Sequence, residues 1–279
     1  MKKRMLSAFL SMCMMLTMVP AAFAAEPEQN ETYSVSTAEA LEEAIDQAVA
    51  GDTIELTADI EVPNTGVPSY GAAVTLPAGV TLDGKDYSIS PDTTWTTATH
   101  IISVVGAAEG TSTVIKNLTV TGNNNTKSGI HVYNSKGVTL KDVTIQNCAE
   151  AGLLVNGSAV TATGLITSGN GWGAVNVDKQ GASLDLEGAN LSEDVQVWTE
   201  SAPKITIDSE DFIAVKGIGG NLKGYTYYTT NMSKLGEVYT VNADTNSITV
   251  YENIEDAVAA NTAINLLKDI EIEQPLNIT

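Results

Sequence analysis

Cysteine, arginine, histidine and aromatic residues are all scarce in this chain. Of 279 residues, 2 are cysteine, 2 are histidine and 5% are Phe, Trp or Tyr, while Arg4 is the sole arginine. Cys13 lies inside the N-terminal apolar run, so Cys148 has no partner for an internal disulfide and the fold must be held by its core. Cys148 itself reads as a small core or turn residue, with no histidine near it in sequence to activate a thiolate. Beyond the leader no apolar stretch approaches the roughly 18 residues of a membrane helix. The shortage of clustered Lys and Arg argues against nucleic acid as a partner.

The N-terminus has the pattern of an export signal. Lys2, Lys3 and Arg4 precede a Met-rich apolar run that ends in Ala22-Phe23-Ala24, so residues 1–24 are expected to be a signal peptide cleaved after Ala24. Met12 stands before Cys13 where a lipoprotein signal would place a small residue, which argues against a lipid anchor. Secretion or cell-surface display is the expectation. With the three leader cations removed from the total of 14, 11 lysines face 34 acidic residues, a net charge of −23. Acidity of that size suits solubility in an exterior environment.

What is present is a repeat. Apolar pairs spaced by two residues recur as Leu118 with Val120, Val143 with Ile145, and Leu165 with Thr167, at intervals of 25 and 22. A second column runs Ile130 with Val132, Leu153 with Val155, and Val175 with Val177, at 23 and 22. A third runs Val138 with Leu140, Val160 with Ala162, Leu184 with Leu186, and Ile205 with Ile207, at 22, 24 and 21. Period-two alternation points one row of side chains inward and one outward. A period near 22 suits a solenoid coil of three short strands and three turns, each strand lying parallel to its copy one period later. A leucine-rich repeat shares the period but needs regularly placed Leu and Asn that are missing here. Gly122, Asn147 and Gly169 form a column expected to turn in the left-handed region, and Gly129, Gly152 and Ala174 a column of small residues at a corner.

The runs VTLPAGVTLDGKDYSIS and VIKNLTVTGNNNTKSGIHVYNSKGVTLKDVTIQNCAEAGLLVNGSAVTATGLITSGNGWGAVNVD resemble the right-handed parallel β-helix, or pectin-lyase-like, superfamily, and the bacterial secreted or surface proteins built on it. The resemblance covers about residues 34 to 215. It implies an all-β fold, a right-handed single-stranded parallel β-helix (solenoid). It implies less about function, because lyases, hydrolases, esterases, epimerases, tailspikes and non-catalytic surface proteins share the fold.

Such a stack needs an end cap. STAEALEEAIDQAVAG, residues 36–51, predicts an N-terminal amphipathic capping helix with Leu41, Ala44, Ile45, Ala48 and Val49 on one face, Ser36 and Glu39 as a capping box, and Gly51 as its stop. The following DTIELTADIEV reads as the first rung. Its Asp59-Ile60-Glu61-Val62 phrase returns as Asp269-Ile270-Glu271-Ile272. The expected organisation is therefore a signal peptide (1–24), a linker (25–35), the capped β-helix (36–215), an irregular or small β segment (216–250), and a second cap-like segment (251–279). Within 216–250, Tyr239–Val241 and Ile248–Val250 are expected to form a hairpin across Asn242 to Ser247. The last segment reads either as the opening of another β-helix module or as a terminal cap folding back.

The chemistry implied by the resemblance finds few of its residues. Pectate-lyase-like members use an arginine base and aspartate-held calcium; here a lysine would have to replace it, and Lys141, Lys179 and Lys204 read as solvated exterior. Polygalacturonase-like hydrolases need an Asp-Asp pair, a Gly-His-Asp phrase and an Arg-Lys element, none of which occurs. Asp185 and Asp208, 23 residues apart, are the weak catalytic candidates: one period would set them side by side, to bind Ca²⁺, to do acid–base work, or simply to be solvated. No other cofactor is expected and no metal site is assigned. His100 and His131 show no metal spacing, with His131 pointing outward between inward Ile130 and Val132. Trp172 and Trp198 sit at coil edges and fit either a carbohydrate-binding platform or a cover for the core flank. The leading reading is a non-catalytic scaffold or adhesin contacting polysaccharide or cell-wall glycan. The alternatives are a polysaccharide lyase or glycoside hydrolase, and a purely structural stalk.

Overall fold

The computed structural model describes residues 30–68, 71–95, 98–219, 222–259 and 263–270. The expected signal peptide and the second half of the Asp269-Ile270-Glu271-Ile272 phrase lie outside the described residues. Glu31–Thr279 make a compact unit of their own. The chain, 47% strand, winds into about 7 turns of right-handed parallel β-helix.

Two sheets carry the coils. In the first, strands Thr32–Val35, Thr53–Leu56, Thr81–Asp83, Thr113–Thr121, Val138–Gln146, Ala159–Thr163, Ser183–Glu187 and Lys204–Ile207 lie side by side in that order. The second runs from Ala72–Leu76 through His100–Val105, Ile130–Tyr133, Ala151–Asn156 and Gly173–Asp178 to Val195–Trp198. The apolar columns of the sequence are the registers of these sheets. Val160 lies between Val138 and Leu184, and Leu184 beside Ile205. Leu153 lies between Ile130 and Val175, while Val143 and Ile145 face Leu118 and Val120. The inward members are buried, with Ile205 partly so at the end of its column, and form one continuous core.

Two of the three expected strands are continuous in the middle coils. Thr113–Thr121 and Val138–Gln146 each run through a single left-handed residue, Asn117 at φ 49° and Asp142 at φ 52°, and Gly164 at φ 65° takes the equivalent place one turn later. Asn and Asp enter this region at lower cost than other side chains, which lets a strand bend with no residue added. In the neighbouring corner, Asn147 and Gly169 are left-handed as expected, but Gly122 is not. Gly122 is small for lack of room: a Cβ there would lie 2.9 Å from the Asn147 carbonyl oxygen and the Cys148 sulfur. At Gly129 the added carbon would meet Ile145 Cγ2 at 2.3 Å, which accounts for the small-residue column.

Coil length varies more than the repeat suggests. Val74, Ile102 and Ile130 are neighbours at intervals of 28 residues, whereas Val175 and Val195 are separated by 20. The extra residues enlarge the loops ahead of His100 and Ile130 and the one between Val105 and Thr113. Trp95 and Asn125 tie the first two together, the indole N–H donating to the Asn125 carbonyl at 3.3 Å and the Asn125 amide to the Trp95 carbonyl at 3.2 Å.

At the N-terminal end, helix Ala38–Gln47 buries Leu41 and Ala44 over the first coil. Its cap is Thr37, not the expected Ser36: Thr37 is extended, and its hydroxyl oxygen accepts from the Ala40 N–H at 3.2 Å. Ser36 still belongs to the connection leaving Thr32–Val35, a strand that begins inside the segment expected as linker and pairs with Thr53–Leu56. The helix ends at extended Ala48 rather than at Gly51, which turns with φ 104° and donates to the Gly79 carbonyl. At the other end the parallel winding stops after Ile207. Tyr225–Thr229 pairs antiparallel with both Val195–Trp198 and Ile213–Ile218. Val238–Val241 and Ile248–Tyr251 then form a hairpin, followed by the short helix Ile254–Val258 capped by Asn253.

The inward column carries the stability. Leu140→Ala is expected to lower the unfolding free energy by about 2–5 kcal/mol, because a fully buried side chain leaves a cavity between stacked coils. Thr37→Ala, which removes one cap bond, is expected to cost about 1 kcal/mol. Urea unfolding of both variants checks the ranking, and a cap variant as damaging as the core variant would contradict it.

Candidate functional site

Each strand of the second sheet sends alternate residues outward, and stacking turns them into rows. One row is Ser103, His131, Leu154, Asn176 and Gln196; beside it run Val105, Tyr133, Asn156 and Asp178. Successive members are about 4.8 Å apart. Together with the preceding loops they line a groove of about 590 Å³. His100 and Lys127 border it on the loop side, and Trp172 and Tyr225 stand at the end nearer the antiparallel strands.

The floor is polar and largely engaged. His131 Nε2 lies 2.9 Å from Asn156 Oδ1, an oxygen that only accepts, so this nitrogen carries the hydrogen and Nδ1 remains an acceptor in the neutral ring. His100 stacks against His131 with ring centroids 4.4 Å apart. It is 1% exposed, and its buried Nδ1 has no hydrogen-bond partner among the described residues. Burial pushes the His100 pKa down to about 3, with His131 and Lys127 adding repulsion. Burial also lowers the pKa of His131, with Asn156 opposing the shift and Lys179 adding to it. Both imidazoles are therefore neutral at physiological pH.

Charges in the groove occur as opposites. Lys127 Nζ lies 3.8 Å from a Glu150 oxygen. Lys179 Nζ sits 4.3 Å from the centre of the Tyr133 ring, where the π face attracts a cation, and Asp178 precedes it in the chain. Burial raises the Glu150 pKa while Lys127 opposes the rise. Among the described residues no three His, Cys, Asp or Glu side chains form a metal-binding cluster.

The residues singled out from sequence divide between two places. Trp172 is half exposed and lines the groove. Trp198 packs edge-on against Tyr225 at 5.0 Å, over Gly224, where an added Cβ would come within 2.6 Å of the indole. It thus supports the ring that closes the groove. Asp185 lies on the first sheet and Asp208 just past the end of its last strand, Lys204–Ile207, and neither lines the groove. They do not face each other, because the turn between their strands is 21 residues and sets Asp185 opposite Thr206. Lys179, read as solvated exterior, is exposed and also lines the groove. Sequence reasoning missed the His100–His131 contact, since the 28-residue coil breaks the repeat between them. It passed over Tyr133, Asn156 and Asn176, although the same columns that locate the core locate these outward rows.

A family model described as "Putative pectate lyase-like adhesive domain" matches residues 32–183. No curated protein matches. Among solved structures, the alginate lyase from Paenibacillus sp. str. FPU-7 is similar at 16% identity and a TM-score of 0.38, over 57% of this chain and 65% of that one.

The buried His100 makes an acid-dependent prediction. The unfolded chain takes up this proton near the ordinary pKa of 6.5 and the folded chain only near 3, so stability present above pH 6.5 is lost as the pH falls. The slope is about 1.4 kcal/mol per pH unit for one proton. His100→Gln is expected to flatten the fall in unfolding midpoint between pH 6 and pH 4 relative to the unaltered protein. Parallel curves for the two proteins would contradict the assignment.

Proposed function

The chain belongs to the family of pectate lyase-like adhesive domains, and from that premise we propose that it is an exported, non-catalytic β-helix module that adheres to polysaccharide along the groove of its second sheet. Export and surface display rest on the leader pattern ending at Ala24. The observation that carries adhesion is the pairing of aromatic faces with hydrogen-bonding side chains in one groove. Trp172 and Tyr225 offer rings at its end, and Asn156, Asn176, Ser103 and neutral His131 supply donors and acceptors along its floor. Amphipathic rings and convergent polar groups are what a hydroxyl-bearing ring ligand requires. Most of the lining, from Gly71 to Lys179, falls within the residues that match the family.

Cleavage of the bound glycan, as by a polysaccharide lyase or glycoside hydrolase, is the second reading. It is favoured by Lys179 over Tyr133 beside neutral His131, since Lys, Tyr and His are residue types that general acid–base catalysis uses.

Binding and turnover on one panel of neutral and uronate glycans separate the two. Trp172→Ala and Tyr225→Ala are each expected to weaken binding about tenfold, a loss of roughly 1.4 kcal/mol, without product appearing. Shortened or unsaturated products that vanish in His131→Asn would establish catalysis in place of adhesion.

A further inference from the structure

We infer that the groove accepts neutral, hydroxyl-rich glycans and turns uronates away, an inference that rests on the adhesive reading. A uronate chain carries one negative charge per sugar, and a groove that holds it must supply uncompensated cations or a cation bound to acids. Here the two lysines of the lining, Lys127 and Lys179, are matched by the two acids of the lining, Glu150 and Asp178. Lys127 is engaged by Glu150 at 3.8 Å, and Lys179 lies over Tyr133. The planar fork that recognises carboxylates best is absent, since the one arginine is Arg4. Around the groove the chain is acidic, with a formal net charge of −20. Its field repels a polyanion over the roughly 8 Å that physiological salt allows.

The remaining lining suits hydroxyls. Asn156, Asn176, Ser103 and the Tyr133 hydroxyl each donate and accept, as a sugar hydroxyl does. His100 adds a second, independent observation: a buried ring nitrogen with no partner among the described residues, at the border of the groove. Leu154 and Val105 between these groups offer apolar contact to the C–H face of a pyranose ring.

Calorimetry on the full chain tests this with neutral β-1,4-linked glucan and mannan hexasaccharides against polygalacturonate and alginate hexasaccharides, in EDTA and in calcium, at low and high salt. The expected result is neutral-glycan binding about tenfold or more tighter than uronate binding, with little dependence on salt. The double variant Glu150→Gln, Asp178→Asn removes both acids of the described lining and is expected to gain uronate binding that salt then weakens. Uronate binding equal to or tighter than neutral binding, in either the EDTA or the calcium arm, overturns this inference and leaves the adhesive reading standing. Failure of every glycan to bind overturns the adhesive reading itself.

Discussion

A strand in this protein must lie beside its own copy from the previous turn, in register and about 4.8 Å away, because only that neighbour satisfies its N–H and C=O groups. Most other features of the coils follow from that requirement. Inward positions repeat mostly as Val, Ile and Leu, with Thr113 and Thr167 as buried polar members, since a polar side chain in the column is buried against apolar copies above and below. Corners must turn without disturbing the register, so they use residues that enter the left-handed region, such as Asn117, Asp142 and Gly164 in one column. The ends must be covered, by helix Ala38–Gln47 at one and by the antiparallel strands from Ile213 at the other.

The same requirement makes the groove. Register fixed for the core fixes the outward residues as well, so side chains from strands more than twenty residues apart in sequence stand in rows. His131, Leu154 and Asn176 are neighbours for the same reason that Ile130, Leu153 and Val175 are. Loops then raise the walls. The coils at Ile102 and Ile130 carry part of their extra residues ahead of the second sheet, where His100 and Lys127 lie, while the shorter coil before Val195 leaves Trp172 and Tyr225 to close the other end.

These relations explain which parts were legible in the sequence. The columns were, because alternation repeated at nearly constant spacing is a direct imprint of register. The cap helix was legible as an apolar face, but its exact first residue was not, since Ser36 and Thr37 both suit an N-cap and only the exit angle from Thr32–Val35 separates them. Asp185 and Asp208 seemed paired because a mean period was applied to a turn that is 21 residues long; a two-residue error along a strand displaces a side chain by about 6–7 Å. The His100–His131 contact was hidden by the opposite deviation, a coil of 28 residues. Core positions tolerate such uncertainty since most inward residues are apolar, whereas a site depends on which particular residue lies opposite which.

Charge placement follows a similar logic. The chain is strongly acidic, yet many of its lysines are committed to the scaffold. Lys116 and Lys85 flank the nearly buried Asp83, at 3.2 and 3.9 Å, and Lys85 also reaches Glu55 at 3.2 Å. Burial pushes the Asp83 pKa up, but the bonds from Asn117, the Lys85 backbone and Lys116 outweigh it and hold the carboxyl below its usual value. Lys136 donates to the carbonyls of Gly157 and Gly181, bridging successive turns. Cations tied to coil-to-coil contacts are not free to gather at a surface, and those that reach the groove arrive with an acid in the same lining. A solenoid that pairs its few lysines in this way leaves the groove of its second sheet close to electrically neutral. Recognition there then depends on hydrogen-bond geometry and ring contact, which register sets with the same regularity as the core.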